Sequence, residues 1–249
     1  MAVEPLLTRA RGLWELLAAA PVSFPSSGEL SVVASPGSQL SPPSWTGIVV
    51  LGDAAIVTAP TTAAAQLLRR ALTALPVGSL TDPEALRSVL SVAEVLGPAT
   101  LGYMSKADLR PVPFDESIEE LAPGHPALLG LAQSVGQQDA EESAIDEITS
   151  SAFVVRADGH VVAAAGYRAW PATTAHISVL TAVRHRGRGL ARQVAYATVA
   201  QALAKGLLPQ WRARPQESRR VARALGFREL GSQLSVQLDL DGAAGDTRG

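Results

Sequence analysis

The sequence predicts an α/β protein: a mixed sheet flanked by helices in the C-terminal half, preceded by a smaller α/β N-terminal domain. Three observations lead there. From residue 153 onward, apolar runs and turn residues alternate in the order β-β-β-α-β-α-β. The stretch Arg110–Pro126 carries four prolines and an acidic patch, which favours a domain boundary. Hydrophobic residues make up 47% of the 249 positions against 18% charged, enough apolar material for a sizeable core. The expected organisation is an N-terminal domain over 1–118, substrate-shaping or a degenerate copy of the second fold, a second domain over 119–240, and a flexible tail over 241–249.

The chain opens on residues that pattern as an amphipathic surface helix. Glu4 and Glu15 argue against a secretory signal, and the apolar stretch 16–22 is short. Residues 22–44 read as loop with one strand, Leu30–Ala34. Gly47–Val50 and Ala54–Val57 flank Leu51-Gly52-Asp53, a hairpin signal. Helices are expected at Thr62–Leu75 and at Asp82–Val95, the second capped by Thr81 with Pro83 in its first turn. A strand is expected at Ala99–Met104.

In the second half, Ala127–Val135 and Glu141–Ser150 read as helices. Phe153–Arg156 and His160–Trp170 are strands around an Ala157-Asp158-Gly159 turn, and Ala175–Ala182 is a third. A helix over Leu190–Lys205 stops at Gly206. Then come a strand at Leu208–Ala213, a helix at Glu217–Leu225 ended by Gly226, and a strand at Glu229–Leu238.

There is no cysteine, which excludes disulfides and thiolate metal sites and favours a cytoplasmic setting. No apolar run approaches the roughly 20 residues of a membrane span. The net charge of −2 is unevenly spread. Between Gly159 and Gln216 there is no Asp or Glu, while eight Arg and Lys give +8; the rest of the chain, with 13 basic and 23 acidic residues, carries −10. Such segregation points to an anion-binding face.

The centre of that basic segment is a turn between a strand and a long helix. Gly187 and Gly189 let backbone N–H groups approach an anion, the helix N-terminus adds free donors, and Arg186, Arg188 and Arg192 add charge. A dinucleotide fingerprint does not fit, because Arg192 stands at the third glycine position and no acid follows before Glu217. A Walker loop lacks its Gly-Lys-Ser/Thr. Nucleic-acid binding through the Arg-His-Arg-Gly-Arg-Gly run, and a solvated basic turn without function, are the competing readings.

The pattern Arg186-Gly187-Arg188-Gly189-Leu190-Ala191 resembles the acetyl-CoA pyrophosphate motif of GNAT acyltransferases. Gly206-Leu207-Leu208-Pro209-Gln210-Trp211 resembles a segment of the subgroup that includes zwittermicin-resistance-type acetyltransferases. Ser218, Ala222 and Leu225-Gly226-Phe227 resemble that subgroup's closing helix and turn. The resemblance covers about residues 127–238. It implies a GNAT-like mixed sheet, acetyl-CoA as co-substrate without a metal, and acyl transfer to a primary amine of a small molecule or peptide by direct attack in a ternary complex. It further implies that Val179, Leu180 and Thr181 contact the acyl and pantetheine groups and that Leu190, Ala191 and Ser218 belong to the CoA site. Pro215 stands where the pattern has Asn, and Ala222 where many members have the Tyr that protonates the leaving thiolate. Those departures motivate a second reading, a catalytically degenerate acyl-CoA-binding module. No membrane or nucleic-acid partner is expected, and oligomeric state, a homodimer included, stays open.

Amine acylation needs a proton acceptor. His176 is the first candidate, because it opens the same strand and has a reference pKa of about 6.5; a structural histidine is the alternative. Glu142 and Glu147 are the next candidates, within the cluster Asp139, Glu141, Glu142, Asp146 and Glu147. Glu142 and Asp146 share a face at i,i+4 if the segment is helical, either to attract a cationic amine or simply as a solvated face. His185 is expected near phosphate. Tyr167 serves either as an acid or as packing.

Overall fold

The structure, a computed structural model, describes residues 4–113 and 117–239. The expected tail at 241–249 and residues 114–116 of the expected linker lie outside the described residues. In chain order the elements are α1 (Pro5–Leu17), β1 (Leu30–Ala34), β2 (Thr46–Leu51), β3 (Ala54–Ala59), α2 (Thr62–Leu72), α3 (Pro83–Arg87) and β4 (Val92–Tyr103). There follow β5 (Glu119–Leu121), α4 (Pro126–Gln133), α5 (Gln137–Ser143), β6 (Ala152–Ala157), β7 (His160–Trp170) and β8 (Thr174–Thr181). The chain ends with α6 (Leu190–Ala204), β9 (Leu208–Ala213), α7 (Gln216–Leu225) and β10 (Arg228–Leu238). The chain divides into two compact units, one up to Leu101 together with the residues from Leu230, the other Gly102–Glu229.

In the first unit the strand order is β1-β3-β2-β10-β4. β2 and β3 pair antiparallel across the two-residue turn Gly52-Asp53, where Gly52 adopts φ +66°. β1 joins β3 in parallel and β10 joins β2 antiparallel. Every residue of β2 and β3 is buried, so these strands carry continuous apolar runs without polar alternation. α2 lays Ala64, Ala65, Leu68 and Leu72 on the same core, with Thr61 Oγ1 accepting from the Ala64 N–H at 3.1 Å as its cap. Each such buried leucine contributes about 1.5–3 kcal/mol.

Two expectations for this half are corrected. The helix expected over Asp82–Val95 stops at Arg87, and β4 begins at Val92. The helical signal of Glu84–Arg87 is real but short, and the β-branched Val92 and Val95 carry the chain into a strand. Asp82 rather than Thr81 caps α3, accepting from the Glu84 N–H; Thr81 Oγ1 instead meets Ser232 Oγ at 2.6 Å.

In the second unit the order is β9-β8-β7-β6-β5. β5 to β8 pair antiparallel, with β6 and β7 turning at Asp158 (φ 49°) and Gly159 (φ 78°). β8 and β9 are parallel, so the chain crosses between them through α6. α6 buries Val194, Ala195, Val199 and Ala202 against Ile177, Trp211 and Phe227. On a separate core, Leu128, Leu131, Ile145 and Ile148 cover Val154, Ala164 and Leu180. The helix expected over Glu141–Ser150 is instead α5, ending at Ser143, and a 3-10 turn at Ile145–Glu147. Ala144 between them is left-handed at φ 44°, so Glu142 and Asp146 do not share one helix face.

Candidate active site

β8 and β9 hold register only at Thr174↔Leu208, Ala175↔Pro209 and His176↔Gln210. Past that last rung β8 runs on through Ile177–Thr181 and β9 through Trp211–Ala213 without pairing to each other. The divergence leaves a V-shaped cleft of about 540 Å³. Its β8 wall is Ile177, Val179, Leu180 and Thr181; Trp211 and Arg212 form the β9 wall. α7 contributes Ser218 and Val221, and α5 contributes Asp139, Glu142 and Ser143.

The glycine turn closes the wide end. The Ala182 N–H donates to Val162 O at 2.8 Å, fixing where β8 ends, and a 3-10 turn at Val183–His185 follows. Gly187 and Gly189 then take φ +76° and φ +82°. That left-handed pair folds the chain over the start of α6, and a side chain at either place would strain it. Gly189 occupies the N-cap and offers no side-chain acceptor. Among the described residues, the N–H groups of Gly187, Arg188, Gly189, Leu190 and Ala191 donate to no protein group. Five unsatisfied donors at a helix start are an arrangement that suits an anion.

Of the expected cofactor residues, Arg186, Gly187, Gly189, Leu190, Ala191 and Arg192 all line this end. Arg188 does not; its side chain is exposed beside the cleft. Arg186 donates from Nε to Thr181 O at 3.2 Å and from Nη2 to Asp139 Oδ2 at 2.7 Å. His185 lines the same end as expected, with a buried Nδ1 that has no partner. Thr181 Oγ1 and Arg192 Nε are likewise buried without a partner. Ser218 Oγ accepts from Trp211 Nε1 at 3.0 Å, which leaves the hydroxyl proton free to donate into the cleft.

The proton-acceptor candidates separate. His176 does not line the cleft. Alternation along β8 puts it opposite Ile177 and Val179, where it stacks on Trp170 at 4.1 Å and 7°. Its Nδ1 meets Gln210 Oε1. Burial pushes its pKa down to about 4, Arg212 and Arg168 adding to the shift and the Gln210 bond opposing it. Glu142 does line the cleft, held by Arg214 Nε at 2.7 Å. Glu147 lies outside the lining and pairs with Arg168. The acidic cluster therefore does not form an open face for a cationic amine: Asp139, Glu142 and Glu147 each hold an arginine of the basic segment. The large apparent charge separation along the sequence is thus partly neutralised in space.

Sequence reasoning missed this pairing, and it missed Arg212 and Arg220 on the cleft wall. Tyr167 is buried in the core and its Oη accepts from Lys205 Nζ at 3.2 Å, so it is a packing residue. No tyrosine lines the cleft among the described residues, and Ala222 packs into the core where a phenol would stand by resemblance. No group of His, Asp or Glu among the described residues could hold a metal ion, and no helix of theirs is long and apolar enough to cross a membrane.

Residues 150–232 match the family model for GNAT acetyltransferases. The matched segment contains both arms of the cleft, the glycine turn and Ser218, but not α5. Among solved structures, the chain is similar to a protein described as a GNAT-family acetyltransferase from Novosphingobium aromaticivorans, at 25% identity and a TM-score of 0.48, over 58% of this chain and 65% of that one. It is also similar to a GCN5-related N-acetyltransferase from Kribbella flavida, at 19% identity and a TM-score of 0.49, over 64% of each chain. Both alignments span less than two thirds of the solved chain. No curated protein matches.

Proposed function

We propose that the chain is an N-acyltransferase that moves an acetyl group from acetyl-CoA to a primary amine. The observation that carries this reading is the placement of five free amide donors and Arg186 at the wide end of the β8–β9 cleft. A pyrophosphate there satisfies those donors. From Thr181 to Ile177 the strand runs about 13 Å, room for a pantetheine arm to lie along β8. Its thioester then reaches the vertex, beside the last β8–β9 rung.

The lining comes from both sides of β8, α7 on one and α5 on the other, so a donor and an acceptor can enter separately. The amine nitrogen attacks the thioester carbonyl carbon, the C–S bond breaks, and the thiolate departs. The amine's proton must leave as the N–C bond forms. Glu142, which lines the cleft, is our choice for the proton acceptor; His176, with Gln210 Oε1 accepting from Nδ1–H and a lone pair on Nε2, faces away from the cleft lining and could take the proton only through a water. Ser218 is the hydroxyl placed to meet the leaving sulfur. Membership of the zwittermicin-resistance-type subgroup is part of this proposal and rests on the Gly206–Trp211 segment and Ala222.

The second reading, an acyl-CoA-binding module without turnover, is favoured by one observation: among the described residues no phenol lines the cleft. Two measurements separate the readings. CoA should raise the melting temperature of the wild-type protein through binding to the folded state, and Gly189→Asp should abolish that rise, because the carboxylate opposes the phosphates at a left-handed position. A folded Gly189→Asp protein with unchanged CoA affinity would refute the site. Acetyl-CoA turnover across a panel of primary amines supports the enzyme, while CoA binding without turnover supports the module.

A further inference from the structure

The short helix α5 has no buried residue, yet it lies across the cleft. It is tied to both arms. Asp139 Oδ2 takes Arg186 Nη2 at 2.7 Å on the turn after β8, and Glu142 takes Arg214 just past the end of β9. Its ends are hinge-like: Gly136 precedes it and the left-handed Ala144 follows it. Little apolar burial holds such a segment, so the two ion pairs carry much of its attachment to the arms of the cleft. In each pair the carboxylate precedes the segment that matches the GNAT family model, while the arginine lies within it.

Resting on the reading that CoA occupies the glycine turn, we propose that α5 is a charge-latched lid, and that Asp139 competes with the CoA pyrophosphate for Arg186. The side chains of Arg186 and Asp139 are 46% and 44% exposed, so the pair is an exchangeable surface bridge. A pyrophosphate brings more negative charge than one carboxylate and also meets the free amides of Gly187–Ala191. Binding therefore takes Arg186 from Asp139 and opens the turn-side latch, while Glu142 keeps its hold on Arg214. Asp139, left beside the phosphates without its partner, is repelled by them, which drives α5 away from the turn.

The test uses the full chain with CoA as the probe. Calorimetry should show Asp139→Asn binding CoA about two- to five-fold more tightly, the scale of one surface ion pair, and Asp139→Glu keeping the wild-type affinity. Hydrogen exchange of the amides over 137–144 should speed up when CoA is added to the wild type. In Asp139→Asn those amides should already exchange fast and gain little from CoA. Equal or weaker CoA binding by Asp139→Asn, or exchange in α5 that CoA leaves unaltered, would overturn the lid while leaving the acyltransferase reading intact. If neither the wild type nor the variant binds CoA, the functional reading itself falls and the proposed trigger falls with it.

Discussion

Two demands meet at His176. Its ring is held between Trp170 and Gln210, and that burial disfavours the imidazolium. With a folded-state pKa of about 4, below the ordinary 6.5, the side chain is neutral throughout the physiological range. The unfolded chain binds the proton more readily, so this histidine favours the folded state above about pH 6.5. That contribution is lost progressively as pH falls from 6.5 towards 4. His176→Gln should flatten this part of the stability–pH curve, by on the order of 3 kcal/mol between the limits; a curve that keeps the wild-type slope would show that the ring is not desolvated. If His176 is also the proton acceptor, the same substitution should lower kcat about 100-fold with CoA affinity unchanged, and the wild-type rate should lose its His176 limb near pH 4, not near 6.5. At this scale the sequence was informative about the glycine turn, because two left-handed positions flanked by arginines leave few alternatives. It was uninformative about Asp139 and Arg186, which stand 47 positions apart and meet only through tertiary folding.

Among elements, long periodic segments were legible and short ones were not. α6, β7 and β8 lie within a residue of where their patterns put them. The segment 82–95 misled because its helical and strand signals are contiguous, and α5 because an acidic run carries no periodicity to mark where a left-handed residue breaks it. How α7 is fastened was also hidden. Arg219 and Arg223, one turn apart, both grip Glu229 at the start of β10, with Nε and Nη2 contacts of 2.9 to 3.0 Å. Those hydrogen bonds, Arg219 first, hold the Glu229 pKa at about 2 against the opposing cost of burial. A carboxylate depressed in the folded state stabilises above its ordinary pKa, near 4.5, and loses that effect as pH falls towards 2. Glu229→Gln should therefore destabilise the protein by roughly 1–2 kcal/mol at pH 7, after allowing for partial exposure, and by only about a quarter of that at pH 2.5. Urea titrations at the two pH values check it; an equal loss at both would mean that packing, not charge, fastens α7. Ser218 sits on the same helix, so the variant should also weaken CoA binding.

For the whole molecule, the order of strands is what a one-dimensional reading could least supply. An α/β pattern in the second half was apparent from alternating runs, but the last strand was expected to serve that half alone. Instead the chain from Leu230 returns to the first unit, where β10 pairs with β2 from Gly231↔Leu51 to Val236↔Thr46. Leu234 and Val236 are fully buried there among Ile48, Val50 and Leu68, and Gln233 Nε2 donates to Leu40 O. Pairing over such a distance leaves no local sequence signal beyond a run of alternating residues that fits either half. It does leave a steric one. A Cβ on Gly231 would come within 1.8 Å of Val50 O and 2.8 Å of Val50 C, both backbone atoms that cannot yield without parting the strands. Gly231→Ala should therefore cost the first unit about 1–3 kcal/mol, the scale of a forced backbone shift. The loss should appear locally, as faster hydrogen exchange over β2, because that strand loses the neighbour on its outer side. Unchanged exchange over Thr46–Leu51 would mean that β10 contributes nothing to the stability of the first unit, and that the return of the chain end is incidental to its fold.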